Sequence, residues 1–188
     1  MNRDTYLSAG VDRDAAQAAK ESIIDIASKT LQKEVVGGVG FFGGMYELQG
    51  YNKPVLVSST DSPGTKLRIA NLTGRFDTVG VDLVNHCVND VFVSGAKPIF
   101  FLDYIGVGSL DTKKVEDLVA GAAKACQEVG CSLIGGETAE LPGIYAGNEF
   151  DMAGFAVGVV EKDKIINGST ILPGDVLLGL VSSGLHTN

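Results

Sequence analysis

Apolar positions recur along the chain with two different periods, and the switches between them divide it into elements. From Asp12 to Leu31, residues Ala16, Ala19, Ile23, Ile26 and Ala27 fall near helical spacing, and Asp14 with Gln17 fits a capping box. GGVGFFGG, residues 37–44, breaks that pattern, because five glycines in eight positions exclude a regular element. Tyr46 and Leu48 alternate as a short strand and Pro54 to Thr60 as a longer one. Asp77 to Ser94 predicts an apolar helix. Val81, Val84, Val88, Val91, Phe92 and Gly95 share one stripe; Asp82, Asn85, His86 and Asn89 share another, with Asp90 one turn after His86. Pro98 opens IFFLDYIGVG, a nearly continuous apolar run that reads as a strand covered on both faces or lying at an interface. Asp111 is placed to cap the next helix, whose core stripe is Val115, Leu118, Val119, Ala122, Cys126 and Val129, and Gly130 ends it. CSLIGGETAELPG reads as a strand entering a glycine turn, and Asp151 to Glu161 as another strand. Pro173-Gly174-Asp175 turns into a last strand, VLLGLVSSGLHTN.

The order β-β-α-β-α-β-β behind a leading helix predicts an α+β domain, with two helices on one face of the sheet. The last strand stops just past a glycine turn, which reads as a chain interrupted rather than finished.

Composition narrows the function classes. The 188 residues are 45% hydrophobic and 20% charged, enough for one domain with a sizeable core. A net charge of −8 argues against nucleic acid as a main partner, since a phosphate backbone requires clustered Lys and Arg. It leaves room for a single nucleotide, where magnesium supplies positive charge locally. No apolar run reaches membrane-span length, and Met1 to Lys20 is not a secretory signal. Cys87, Cys126 and Cys131 have neither a C-x-x-C partner nor a histidine at zinc spacing, and read as reduced thiols of a cytoplasmic protein.

Several stretches can carry chemistry, and each has a bland counterpart. Asp61 ends a strand and is followed by Gly64, Thr65 and Lys66; this is either an anion or metal corner or a turn with a solvated lysine. Asp90 lies on an apolar helix and needs a partner or a cation, unless it serves as a cap or salt bridge. Glu137 and Glu140 flank Thr138 in GGETAELPG, where a metal would relieve their repulsion; exposed turn acids are the alternative. The glycine loop can close over a nucleotide or be only a loop. SSGLHTN offers backbone N–H groups and His186 to an anion. His86 reads as structural.

N-D-x-x-x-x-G-A-x-P at 89–98, G-G-E-T-A-E-L-P-G at 135–143 and S-S-G-L-H-T-N at 182–188 together resemble the aminoimidazole ribonucleotide synthetases, or phosphoribosylformylglycinamidine cyclo-ligases. A-G-V-D at 9–12, the glycine loop, F-F-L-D-Y at 100–104 and A-G-F-A-V-G-V-V-E-K at 153–162 extend the match over nearly the whole chain. The first motif marks the wider PurM-like superfamily, which includes selenophosphate synthetases, thiamine-monophosphate kinases and hydrogenase-maturation proteins. G-G-E-T-A-E-L-P-G and F-F-L-D-Y narrow it.

The resemblance implies ATP-dependent closure of the imidazole ring of formylglycinamidine ribonucleotide in purine synthesis. It implies a mainly antiparallel four-stranded sheet with helices on one face, pairing into a barrel in a homodimer. It implies magnesium on Asp61 and Asp90, and nucleotide binding by Gly38, Gly40, Gly43, Gly44, Asp61, Gly64, Thr65, Lys66, Glu137 and Thr138. Substrate would meet Ser182, Ser183, Gly184 and His186, with Lys66 and His186 as the catalytic candidates. Residues 1–168 would form the ATP-binding and dimerisation domain, and 169–188 the start of a second domain. Because the family's cleft lies between its two domains, this chain alone is expected to bind ATP weakly or not to catalyse. Ser62-Pro63 stands where the family usually reads Gly-Val, which restricts the loop. The alternatives are another ATP-using reaction on the same fold, or a dimerisation module without catalysis.

Overall fold

A computed structural model describes residues 12–187; the A-G-V-D match at 9–12 and the final Asn188 therefore fall partly or wholly outside it. The elements are α1 (Arg13–Ser28), β1 (Val35–Val36), β2 (Met45–Tyr46), β3 (Pro54–Asp61), α2 (Lys66–Thr73), α3 (Asp77–Phe92), β4 (Lys97–Val107), α4 (Thr112–Val129), β5 (Ser132–Glu140) and β6 (Phe150–Glu161). Four strands make one sheet in the order β3-β6-β4-β5, and β1 and β2 form a separate antiparallel ribbon.

The sheet is mixed, which corrects the mainly antiparallel expectation. β6 runs antiparallel to both β3 and β4, but β4 and β5 are parallel. The cause is helix α4, which carries the chain back between them; parallel neighbours require such a crossover.

α3 and α4 cover one face of the sheet, and α1 packs on α4 and β5. The core on that face joins Leu83, Val84, Val91, Phe101, Ile105, Leu118, Val119, Ala122 and Met152, all fully buried. Asp111 caps α4 as expected, accepting the Lys114 N–H at 3.1 Å. Gly130 ends the helix at φ 70°, and Cys131 N–H returns to Cys126 O at 2.8 Å, the hydrogen bond of a Schellman turn. α3 and α4 cross with backbones touching. A Cβ on Gly80 would lie 2.0 Å from Leu118 O, and one on Gly121 would lie 2.0 Å from Asp77 O.

Other local expectations change. α1 is capped by Asp12, whose Oδ1 takes the Asp14 N–H at 3.0 Å, while Gln17 reaches forward to Glu21. On α3 the core stripe is Val79, Leu83, Val84, Cys87, Val88 and Val91; Val81 is half-buried and Phe92 is exposed. Leu48 lies outside the two-residue strand β2. Helix α2 leaves little trace in the sequence, since its two turns bury only Leu67 and Ala70 and show little periodicity. The last strand does not form. Among the described residues, 165–187 pair with no strand, and Leu177, Leu180 and Val181 are almost fully exposed.

The second face of the sheet is partly covered. Ile99, Val157 and Val159 cluster with Phe100, Tyr46 and Tyr51, so the ribbon and the following loop lie over one part. Elsewhere Leu56, at 58% exposure, and Phe155, at 41%, face outward.

Candidate functional site

Asp61 is the last residue of β3, and its side chain shares the helix-covered face with Val55, Val57 and Ser59. Its Oδ2 lies 2.8 Å from His86 Nε2 on α3, and its Oδ1 accepts the Ser62 N–H at 2.8 Å. The loop then tightens on itself: Ser62 Oγ accepts the Gly64 N–H at 3.2 Å, and Gly64 takes φ 61°. This turn delivers Lys66 to the first turn of α2, where Nζ pairs with Asp82 of α3 at 2.8 Å. Thr65 stands at the N-cap without a side-chain cap, while its carbonyl accepts the Arg68 N–H at 3.1 Å and the Gly64 carbonyl accepts the Leu67 N–H at 3.2 Å.

Asp90 sits two turns beyond Asp82 on α3 and accepts the Ser59 hydroxyl at 2.9 Å. Cys87 lies between these groups. Burial pushes its thiol up to about 11, and the carboxylates of Asp61 and Asp90 add to the rise while an Asp61 backbone hydrogen bond opposes it. That thiol therefore stays protonated, and Asp61 and Asp90 act on one common neighbour. Lys66 also donates to Thr187 Oγ1 at 3.0 Å, which brings the end of S-S-G-L-H-T-N onto the same corner. Ser182, Ser183, Gly184 and His186 are exposed, with Ser182 Oγ bonded to the Gly184 carbonyl.

The remaining candidates do not join this corner within one chain. In register, Asp61 lies opposite Gly154, which lies opposite Asp103, which lies opposite Gly136. Glu137 and Thr138 are thus on the far edge, three strand spacings or about 14 Å away. Glu137 is exposed and pairs with Tyr104, while Thr138 is half-buried beside Ile105. The glycine loop also lies against that edge. Gly38 and Gly40 take positive φ, Gly43 lies in open space, and a Cβ on Gly44 would meet Ile134 of β5 at 2.6 Å.

Three residues at or near the corner were not nominated from sequence. His86, structural by its place on the apolar helix, contacts Asp61 directly. Asp82 holds Lys66, and its four-residue spacing to His86 was the available signal. Asp103 is the third: burial raises its carboxyl to about 7, and its Oδ1 fills the space a Gly136 side chain would need.

Comparison with known proteins places this arrangement. The domain family described as "AIR synthase related protein, N-terminal domain" matches residues 44–160, so the chain belongs to that family. Among curated proteins it is similar to the phosphoribosylformylglycinamidine cyclo-ligases of Carboxydothermus hydrogenoformans and Geotalea uraniireducens. Identity is 53% and 52%, covering all of this chain but 55% and 54% of those proteins. The chain thus spans about half the length of the curated relatives it matches. Among solved structures it resembles hydrogenase maturation protein HypE in complex with ATP, at TM-score 0.62 and 23% identity over 87% of this chain and 45% of that one. Thiamine-monophosphate kinase from Stenotrophomonas maltophilia gives TM-score 0.62 at 16% identity over 77% of this chain and 43% of that one. At such identities the structural likeness shows the fold.

Proposed function

We propose that the chain is the nucleotide-binding part of an ATP-dependent cyclo-ligase that closes the imidazole ring of formylglycinamidine ribonucleotide in purine synthesis. The observation that carries the reading is the corner itself: Asp61, Asp90 and Lys66, from three elements, lie along one polar face of α3 through His86, Ser59 and Asp82, in a chain about half identical to cyclo-ligases. Residues 1–168 are read as the ATP-binding and dimerisation domain, and the unpaired stretch from 169 as the beginning of a second.

The donor set suits magnesium. Among the described residues no three metal-ligating side chains converge, but magnesium is commonly held by one or two carboxylates, with waters and phosphates completing the shell. Asp61 and Asp90 would be those carboxylates, and the cation would neutralise charge on the triphosphate. Lys66 adds a positive charge beside the first amides of α2, where a phosphate is favoured. Its ammonium has three N–H donors, and beyond those given to Asp82 and Thr187 one is left for that phosphate. In the reaction, the formyl amide oxygen attacks the γ-phosphorus and ADP leaves. A substrate nitrogen then attacks the activated carbon, phosphate departs and the ring closes. The chain's part is binding and orientation. His186 and the Ser182-Ser183-Gly184 turn would approach the substrate, and Glu137, Thr138 and Gly38 to Gly44 the nucleotide.

The outward sheet face, with Leu56, Tyr104 and Phe155 exposed, supports a second copy closing a barrel, which removes sheet edges. No described helix is long and apolar enough to cross a membrane, and a cytoplasmic location suits a nucleotide enzyme. The 52–53% identity to cyclo-ligases favours this reaction over the other ATP-using ones on the fold. The test is calorimetric titration of ATP with and without magnesium, for the native chain and Asp90→Ala. Magnesium-dependent binding that the variant loses is the expected result; equal binding by both removes Asp90 from the site.

A further inference from the structure

α3 turns one polar face toward the end of β3 and the start of α2. Asp82, His86 and Asp90 follow at four-residue steps, so they stack one per turn. Asp82 holds Lys66, His86 meets Asp61, and Asp90 accepts the hydroxyl of Ser59. The middle rung differs from its neighbours: there the helix supplies the nitrogen and the strand supplies the carboxylate.

His86 Nδ1 is buried and has no hydrogen-bond partner among the described residues. An unpaired buried ring nitrogen is a cost that a leucine or methionine of similar size would avoid. What the imidazole provides in return is its Nε2 contact with Asp61 at 2.8 Å. The other oxygen of Asp61 takes the Ser62 N–H. The carboxylate is therefore held at each oxygen by a donor from a different element. Each carboxylate oxygen has two acceptor sites, so one donor on each leaves room for a cation.

We propose that His86 is a positioning residue that fixes Asp61 in its cation-binding orientation. This rests on the reading of Asp61 as a cation ligand. Partners that orient a ligating group from behind typically account for about 10- to 100-fold in metal affinity.

The test uses Mn2+ as a paramagnetic stand-in for magnesium, titrated into the chain with ATP present and followed by the signal of free Mn2+. Four chains are compared: native, His86→Leu, His86→Gln and Asp61→Asn, each with its urea unfolding curve. His86→Leu is expected to weaken Mn2+ binding about 10- to 100-fold. His86→Gln, which can still present an N–H to Asp61, is expected to keep most of the affinity. His86→Met replaces the leucine variant if that chain does not fold. Loss in Asp61→Asn alone, with native affinity in His86→Leu, overturns the positioning role and leaves Asp61 as ligand. Equal loss in His86→Gln and His86→Leu also overturns it. Native affinity in Asp61→Asn, or no uptake by the native chain, overturns the underlying reading as well.

Discussion

Asp103→Asn should change how stability depends on pH. Asp103 faces the helix-covered side of β4, between Gly154 of β6 and Gly136 of β5. Burial raises its carboxyl from 3.8 to about 7, with a hydrogen bond from its own backbone opposing the rise. An acid raised on folding is stabilised in its neutral form. Its contribution is fully present below the unfolded value near 4 and is lost as pH rises toward 7; above that both states are ionised and the loss is constant. Each unit of difference corresponds to about 1.4 kcal/mol, so three units give an upper figure of about 4 kcal/mol, reduced by whatever relaxation lets water reach the carboxylate. Asparagine keeps the shape and cannot ionise. Urea unfolding of both chains from pH 4 to pH 8 isolates the effect, because other titrating groups cancel in the difference. Native minus variant stability should fall by about 1.4 kcal/mol per pH unit toward pH 7 and then level off. A difference that is flat, or that rises with pH, refutes the desolvation argument.

Further substitutions test the packing of the sheet and its helices. In Gly136→Ala the new Cβ would lie 1.7 Å from Asp103 Oδ1 and 2.7 Å from its backbone oxygen, so about 1–3 kcal/mol should be lost on urea unfolding. Pairing it with Asp103→Gly should recover part of the loss in a double-mutant cycle. Gly121→Ala puts a Cβ 2.0 Å from Asp77 O, where a backbone atom cannot yield; about 2–4 kcal/mol should be lost in thermal unfolding, despite alanine's better helix propensity. Asp111→Ala removes the cap on the Lys114 N–H and should cost about 1 kcal/mol by urea denaturation.

The legible parts of this chain are those whose cause is local. The α4 cap and stop, the core stripe from Val115 to Cys126, and strands β3, β4, β5 and β6 follow from period, capping residue and glycine. The parallel β4–β5 pair agrees with the helix read between those strands, since parallel neighbours need such a crossover. What escaped depends on which element lies beside which. His86 looks structural along its own helix, and only the packing of α3 against β3 brings Asp61 to it. Asp103 sits in an apolar strand; its carboxyl is raised by burial, and the room its Oδ1 occupies exists because Gly136 has no side chain, a relation between strands. The failed strand beyond Asp175 shows the converse. VLLGLV has strand composition, but a strand requires partners for its N–H and C=O groups, and the described residues offer it none. The same logic separates Asp61 from Glu137. Both stand in family motifs, yet the register sets them on opposite edges of the sheet. A ligand touching both must therefore extend across about three strand spacings, or meet Glu137 in another copy. Glu137→Gln consequently tests that geometry. A loss of ATP affinity in proportion to dimer content would assign Glu137 to the partner's site, and a loss in the monomer would assign it to its own.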